Sequence, residues 1–197
     1  MTAKTAKSKC VILDAMIIIT AHEQGIWLSL VDRLDIVLPS IIARDEALFF
    51  SKKEERIPQD IDLSQLIREN RITEISATIE DLADLQVVFD SVFLKGLDEG
   101  ETEALALLKS RKAGEAFFCT SDVKAIQALA MIDKSDKGIS FEKLLQSIGF
   151  SRSLPHHYSD GFFKQQIKEG QRYRITGQGM QQKNIQKHRG MKDIKTK

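Results

Sequence analysis

The stretch Cys10-Val11-Ile12-Leu13-Asp14 constrains this chain more than any other. A continuous apolar run bounded by polar segments fits a central strand of a parallel sheet, buried on both faces. The aspartate at its carboxyl end stands where open α/β sheets place their ligands. The same residue also suits a strand-ending turn or a helix cap, so Asp14 by itself decides nothing.

Beyond Asp14 the chain alternates between helix and strand patterns. The spacing predicts a helix over 16–32, weakened in its middle by Gly25. A strand over 35–39 ends at Pro39, and Ser40 caps a helix over 41–54. A short helix near 63–69 leads into a strand over 71–76. Thr78-Ile79-Glu80-Asp81 opens another helix, a cap residue with an acid three places on. Leu82, Leu85, Phe89 and Val92 share one face of it. Gly96 and Gly100 turn the chain into a helix over 101–112, apolar nearly all round from Ala104 to Leu108 and so packed on both sides. A strand over 116–120, a helix over 122–133, a short strand over 138–140 and a helix over 141–147 complete the series. The alternation predicts an α/β fold, a three-layer αβα sandwich with a central parallel sheet of four to five strands.

The chain has 197 residues, 42% of them hydrophobic, enough for one domain with an appendage. The apolar run from Ala15 to Ile19 is far too short to span a membrane, and Asp14 breaks any signal-peptide pattern, so a cytoplasmic protein is expected. Cys10 and Cys119 fall in strands at offsets that place them roughly 10 Å apart if those strands are parallel neighbours. That exceeds disulfide reach and predicts two free thiols. Residues 1–9 are expected to be a basic, disordered lead-in, and 10–150 the α/β domain. Composition changes after Phe150. Residues 151–197 hold 11 Lys and Arg against 3 Asp and Glu, while 1–150 hold 18 against 25. An acidic body thus carries a basic tail, predicted to form one short helix near 159–167 and little order beyond Gly170.

Three further acidic features accompany Asp14. Glu46 lies in Ile41-Ile-Ala-Arg-Asp-Glu46-Ala-Leu. The turn into the buried helix reads Asp98-Glu-Gly-Glu101-Thr-Glu103-Ala-Leu. The later strand ends in Thr120-Ser-Asp122, then Val123-Lys124-Ala125. Singly, these are a solvated helix face, first-turn acids favoured by the helix dipole, and a helix cap. In this order and spacing they resemble the PIN-domain family of nucleases, over roughly residues 9–150. The likeness is strongest to the bacterial and archaeal branch with Gly-Glu-x-Glu-Ala at a helix start and Asp-x-Lys-Ala after the fourth strand. Here those read Gly100-Glu101-Thr102-Glu103-Ala104 and Asp122-Val123-Lys124-Ala125. The resemblance implies a PIN-like fold in which Asp14, Glu46, Glu101 and Asp122 form a metal-binding, catalytic cluster. Glu103 is the fallback for Glu101, and Thr120 and Lys124 lie beside the site. Met16 departs from the family, which has Asn or Ser there to orient the first aspartate.

Four carboxylates converging on one cleft raise one another's pKa values and are tolerable when hard divalent cations neutralise them. All-oxygen ligands suit Mg²⁺ or Mn²⁺, and no Cys or His spacing suits zinc. The resulting expectation is a metal-dependent endoribonuclease, like the toxin of a toxin–antitoxin pair. RNA is its substrate, an antitoxin protein a possible partner, and a homodimer an expectation from the family alone. Lys124 and the tail residues Arg172 and Arg174 are the predicted phosphate contacts, with Tyr173 as a stacking ring. Two rival readings stand beside it: a catalytically impaired module that binds RNA or protein, and a phosphotransferase using Asp14 as nucleophile.

Overall fold

The computed structural model describes residues 9–51 and 58–181. Seven strands and nine α-helices are described. β1 (Cys10–Leu13), β2 (Asp35–Pro39), β5 (Ile72–Ile75), β6 (Phe117–Cys119) and β7 (Gly138–Ile139) make one sheet, in the order β5-β2-β1-β6-β7. All four of its pairings are parallel. The two halves of the sheet grow outward from β1, so the strand order reverses between β1 and β6. In open α/β sheets that reversal opens a crevice beyond the carboxyl ends of the two strands.

The side-chain alternation of β1 explains the layers. Val11 and Leu13 pack with α1 (Ala15–Glu23), α2 (Trp27–Arg33), α3 (Ser64–Arg68) and α8 (Phe141–Ser147). Ile12 faces the other way, toward α4 (Ile79–Gln86), α5 (Ser91–Leu94), α6 (Glu99–Lys109), α7 (Val123–Met131) and α9 (Asp160–Thr176). Helices therefore cover both faces of a parallel sheet. Ala104 to Leu108 are all buried, as a helix packed on both sides requires. Cys10 and Cys119 are free thiols, and the register sets Cys119 opposite Leu13 and not opposite Cys10.

Several sequence expectations need correction. The helix expected over 41–54 is a single π-helical turn, Ile42–Glu46, closed by the Ala47 N–H donating to the Ile42 carbonyl. The chain then enters β3 (Phe49–Ser51), which pairs antiparallel with β4 (Pro58–Asp60) in a small second sheet. The charged run 52–56 lies outside the described residues. Val92 does not share the α4 face. That helix ends at Gln86, and Asp90 caps a separate α5 by accepting from the Phe93 N–H. Phe93 takes the buried place, leaving Val92 80% exposed.

The larger correction concerns the C-terminal segment. Its short helix, expected to fade beyond Gly170, is the 17-residue α9, ended by Gly177 in the left-handed conformation (φ 82°). α9 lies along α7 and runs in the same direction, with Gln166 paired to Gln127 at the middle of α7 and Arg174 to Asp133 just beyond its C-terminus. Gly170 permits the close approach: a Cβ there would stand 2.3 Å from the Gln127 carbonyl oxygen. Residues 182–197, which hold most of the tail's basic charge, and the lead-in 1–8 lie outside the described residues. Among the described residues, no helix is long and apolar enough to cross a membrane.

Candidate functional site

Asp14 follows β1 directly and occupies the N-cap position of α1. It is 4% exposed. Its backbone N–H donates to the Cys119 carbonyl of the neighbouring strand, and its own carbonyl accepts from Ile17 and Ile18. The aspartate is thereby fixed at the strand-order reversal. Its carboxylate Oδ2 accepts a 2.8 Å bond from the Thr120 hydroxyl. That hydroxyl in turn accepts from the Asp122 N–H at 3.0 Å. Thr120 thus links the two aspartates that close β1 and β6. Met16 is exposed, and the hydrogen bond that orients Asp14 comes instead from across the sheet.

Asp122 caps α7: its Oδ1 accepts from the Lys124 and Ala125 N–H groups. Lys124 follows in the first turn, and its ammonium lies 4.9 Å from the centre of the Phe93 ring. α6 opens on a capping box in which Asp98 accepts from the Glu101 N–H and Glu101 Oε2 accepts from the Asp98 N–H. Glu46, the last residue of the π turn, reaches the same helix start and accepts from the Gly100 N–H through Oε1. A Cβ at Gly100 would meet Glu46 Oε2 at 2.2 Å, so the glycine in the motif makes room for this carboxylate. π-helical turns are frequent at functional positions.

The choice between the two glutamates is geometric. Glu103 accepts from the Ser40 hydroxyl and from the Ile41 and Ala77 N–H groups, tying α6 to the segments that leave β2 and β5. Its hydrogen bonds make it a structural brace. Glu101 instead shares a neighbourhood with Asp14, Asp98 and Asp122, whose charges all act on it.

Burial and mutual repulsion outweigh the favourable field of three helix N-termini at this end. Asp14 is pushed up to about 7, first by burial, against the lowering effect of Thr120, with Asp98, Asp122 and Glu46 adding repulsion. Glu101 is pushed up to about 9 by burial and then by Asp122, Asp98 and Asp14. Burial also raises Glu46 and Asp98, each partly relieved by a backbone N–H. Asp98 is a fifth carboxylate of the site that the motifs do not single out, although Asp98-x-x-Glu101 spells a capping box.

Among the described residues, no three Asp, Glu, His or Cys side chains are gathered as ligands of one ion. The carboxylates share a neighbourhood and a mutual repulsion, not a coordination shell. The donor chemistry nevertheless fits a hard cation. The groups are all carboxylate oxygens, and Glu46 Oε2 is buried without a hydrogen-bond partner.

Arg172 and Arg174 are not brought to this end. Arg174 pairs with Asp133, beyond the C-terminus of α7, whereas Asp122 stands at its N-cap. Eleven residues of helical rise separate the two, roughly 16 Å. Arg172 is held by Glu169 and lies over the Tyr173 ring. His156 and His157 pack against the Phe162 and Tyr158 rings. Comparison with protein-family models, curated proteins and solved structures returns no match.

Proposed function

We propose that this chain is a divalent-metal-dependent endoribonuclease that hydrolyses RNA phosphodiester bonds, of the kind that serves as the toxin of a toxin–antitoxin pair. One observation carries the reading. Asp14, Glu46, Glu101 and Asp122, from four distant segments, act on one site at the strand-order reversal, linked through Thr120 and Gly100. The resemblance of their motifs to PIN-domain nucleases supplies the substrate class. Asp14, Glu101 and Asp122 would hold Mg²⁺ or Mn²⁺, with Glu46 holding a second ion or orienting water. An ion held by these residues would supply an activated water and positive charge beside the phosphate. Thr120 orients Asp14, and Lys124 places a cation beside the cleft for a phosphate of the substrate.

A second reading is a module of the same fold that binds RNA or a protein without cutting. It draws on the spacing of the carboxylates, which among the described residues are not gathered as a ligand set. Cleavage of a labelled single-stranded RNA with Mn²⁺, with EDTA, and by Asp14→Asn separates the two. The nuclease reading expects cutting by the parent with Mn²⁺ alone and a loss of at least about 100-fold in the variant. RNA binding with no metal-dependent cutting by the parent favours the binding module. Cutting that survives both EDTA and Asp14→Asn overturns the assigned site.

A further inference from the structure

Lys124 is held differently from the ion-paired cations of the folded domain. Arg44, Lys112, Lys137 and Lys164 each face a carboxylate, as Arg172 and Arg174 do. The Lys124 ammonium has no ion-pair partner among the described residues and lies instead 4.9 Å from the centre of the Phe93 ring. Its stem crosses Gly96, where a Cβ would stand 3.3 Å from Lys124 Cγ and 3.5 Å from Cε. Gly96 comes just before Asp98, the N-cap of α6, and Lys124 just after Asp122, the N-cap of α7. The side chain therefore leaves one helix start of the acidic crevice and packs on the turn into the other. Phe93 is itself buried and held by two neighbours. Its ring stacks on Phe89, with centroids 4.9 Å apart. The C-terminal segment closes on it as well, although the nuclease resemblance stops near residue 150. The Asp90 N–H donates to the Gly179 carbonyl and the Gln181 N–H to the Val88 carbonyl, an antiparallel bridge that pairs Met180 with Phe89. A Cβ at Gly179 would meet Phe93 Cδ2 at 2.9 Å, and φ there is 74°, so glycine alone seats the segment this close to the ring.

We propose that Phe93 is a positioning residue for RNA binding: with Gly179 of the C-terminal segment against its ring, it holds Lys124 beside the acidic crevice as an ammonium that no carboxylate neutralises. The proposal rests on the RNA reading of the same site. An aromatic face attracts an ammonium through its quadrupole and carries no net charge of its own. The positive charge then stays available to a phosphate. A carboxylate partner would hold the side chain as still and cancel that charge. Lysine brings a flexible four-carbon stem, and ordering such a stem on binding costs affinity. Gly96 and Phe93 order it beforehand. A phosphate of a single strand lying across the crevice then meets an ammonium already in place.

Two measurements on the full chain separate the cradle from its use. NMR reads the cradle with neither metal nor RNA present. The Cε protons of a lysine held over a ring face resonate upfield of those of solvated lysines. The Lys124 signal, identified by its loss in Lys124→Gln, should lie upfield in the parent, return to the ordinary position in Phe93→Leu and move in Gly179→Ala. A parent in which Lys124 resonates with the solvated lysines overturns the proposal, whatever the variants do. The second measurement is affinity for a fluorescent single-stranded RNA at several salt concentrations, with EDTA and with Ca²⁺ in place of Mn²⁺. Lys124→Gln should weaken binding about tenfold and flatten the salt slope by about 0.7, the value for one phosphate on a single strand. Phe93→Leu keeps the charge and a large apolar side chain, so it should weaken binding about 3- to 10-fold at an unchanged slope. The double variant should bind no more weakly than Lys124→Gln alone, because Phe93 acts only through Lys124. Lys9→Gln, which removes the ammonium over Phe117 at the opposite end of β1 from Asp14, should leave affinity as it is. Additive losses in the double variant, or unchanged affinity in Lys124→Gln, overturn the proposal and leave the RNA reading standing. A parent without affinity for RNA at low salt defeats both.

Discussion

At the residue scale, the carboxylates at the β1–β6 crevice make stability depend on pH in an unusual direction. Asp14 at about 7 and Glu101 at about 9 hold protons in the folded chain that an unfolded chain releases near pH 4. Their contribution is therefore complete below pH 4 and is lost as pH rises through about 7 and then about 9. Unfolding in EDTA should show stability falling from pH 5 to pH 9. Asp14→Asn removes the first of the two steps. It should be the more stable protein at pH 8, by up to about 4 kcal/mol at 1.36 kcal/mol per pKa unit, with a shallower slope below pH 8. A variant curve parallel to the parent's would refute this account of Asp14. The residue types are legible in sequence because strand ends and helix starts announce themselves: an apolar run ending in Asp14, a glycine beside Glu101, and Thr120-x-Asp122. Sequence cannot separate Glu103 from Glu101 on physical grounds, since both fall in one helical turn. Only the donors around Glu103, from Ser40, Ile41 and Ala77, show which glutamate braces the fold.

At the element scale, α9 shows how a polar sequence can hold a docked helix. Its seat against α7 depends on a glycine as well as on Phe163 and the partly buried Ile167 and Tyr173. Gly170→Ala would normally favour a helix by about 1 kcal/mol. Here the new Cβ would stand 2.3 Å from the Gln127 carbonyl oxygen and 2.8 Å from its Cα, both backbone atoms that cannot step aside. Overpacking of this kind typically costs about 1–3 kcal/mol, so the expected net effect is a loss of about 1–2 kcal/mol. Urea unfolding measures it, and a gain in stability would show that α9 is not seated as described. The same glycine explains why sequence understates α9. Without sight of a partner backbone, an interior glycine among Lys, Gln and Arg looks like a helix breaker. The strands of the main sheet are legible because buried strands are written as apolar runs between turn residues. α8 lies where the sequence places it, and Ser140, expected as the last residue of the short strand, is instead its N-cap and accepts from the Lys143 N–H. The β3–β4 pair is not. It consists of two three-residue strands, and a run such as Phe49-Phe50-Ser51 is as compatible with the end of a helix as with a strand.

At the scale of the whole molecule, charge is divided between two parts of one chain, and the fold changes which basic residues are available to a phosphate backbone. Arg172 and Arg174 are engaged with Glu169 and Asp133 at the end of α7 far from Asp122. Lys164 pairs with Asp160. Over 182–197 the sequence carries Lys183, Lys187, Arg189, Lys192, Lys195 and Lys197 against the single acid Asp193. An acidic body repels a polyanion, so association with RNA needs a separate source of positive charge. Each phosphate neutralised on a single strand releases counterions and adds about 0.7 to the slope of log affinity against log salt. Deleting 182–197 removes six cations, and should weaken binding to single-stranded RNA while flattening that slope by as much as about 4. Replacing Arg172 and Arg174 with alanine should change the slope by less than about 1, because ion pairs already satisfy both. Affinities of the parent, the truncation and the double alanine variant at four salt concentrations decide the matter. Equal slopes for parent and truncation would return the phosphate contacts to the folded domain. Lys124, beside Asp122, would then be the first residue to replace.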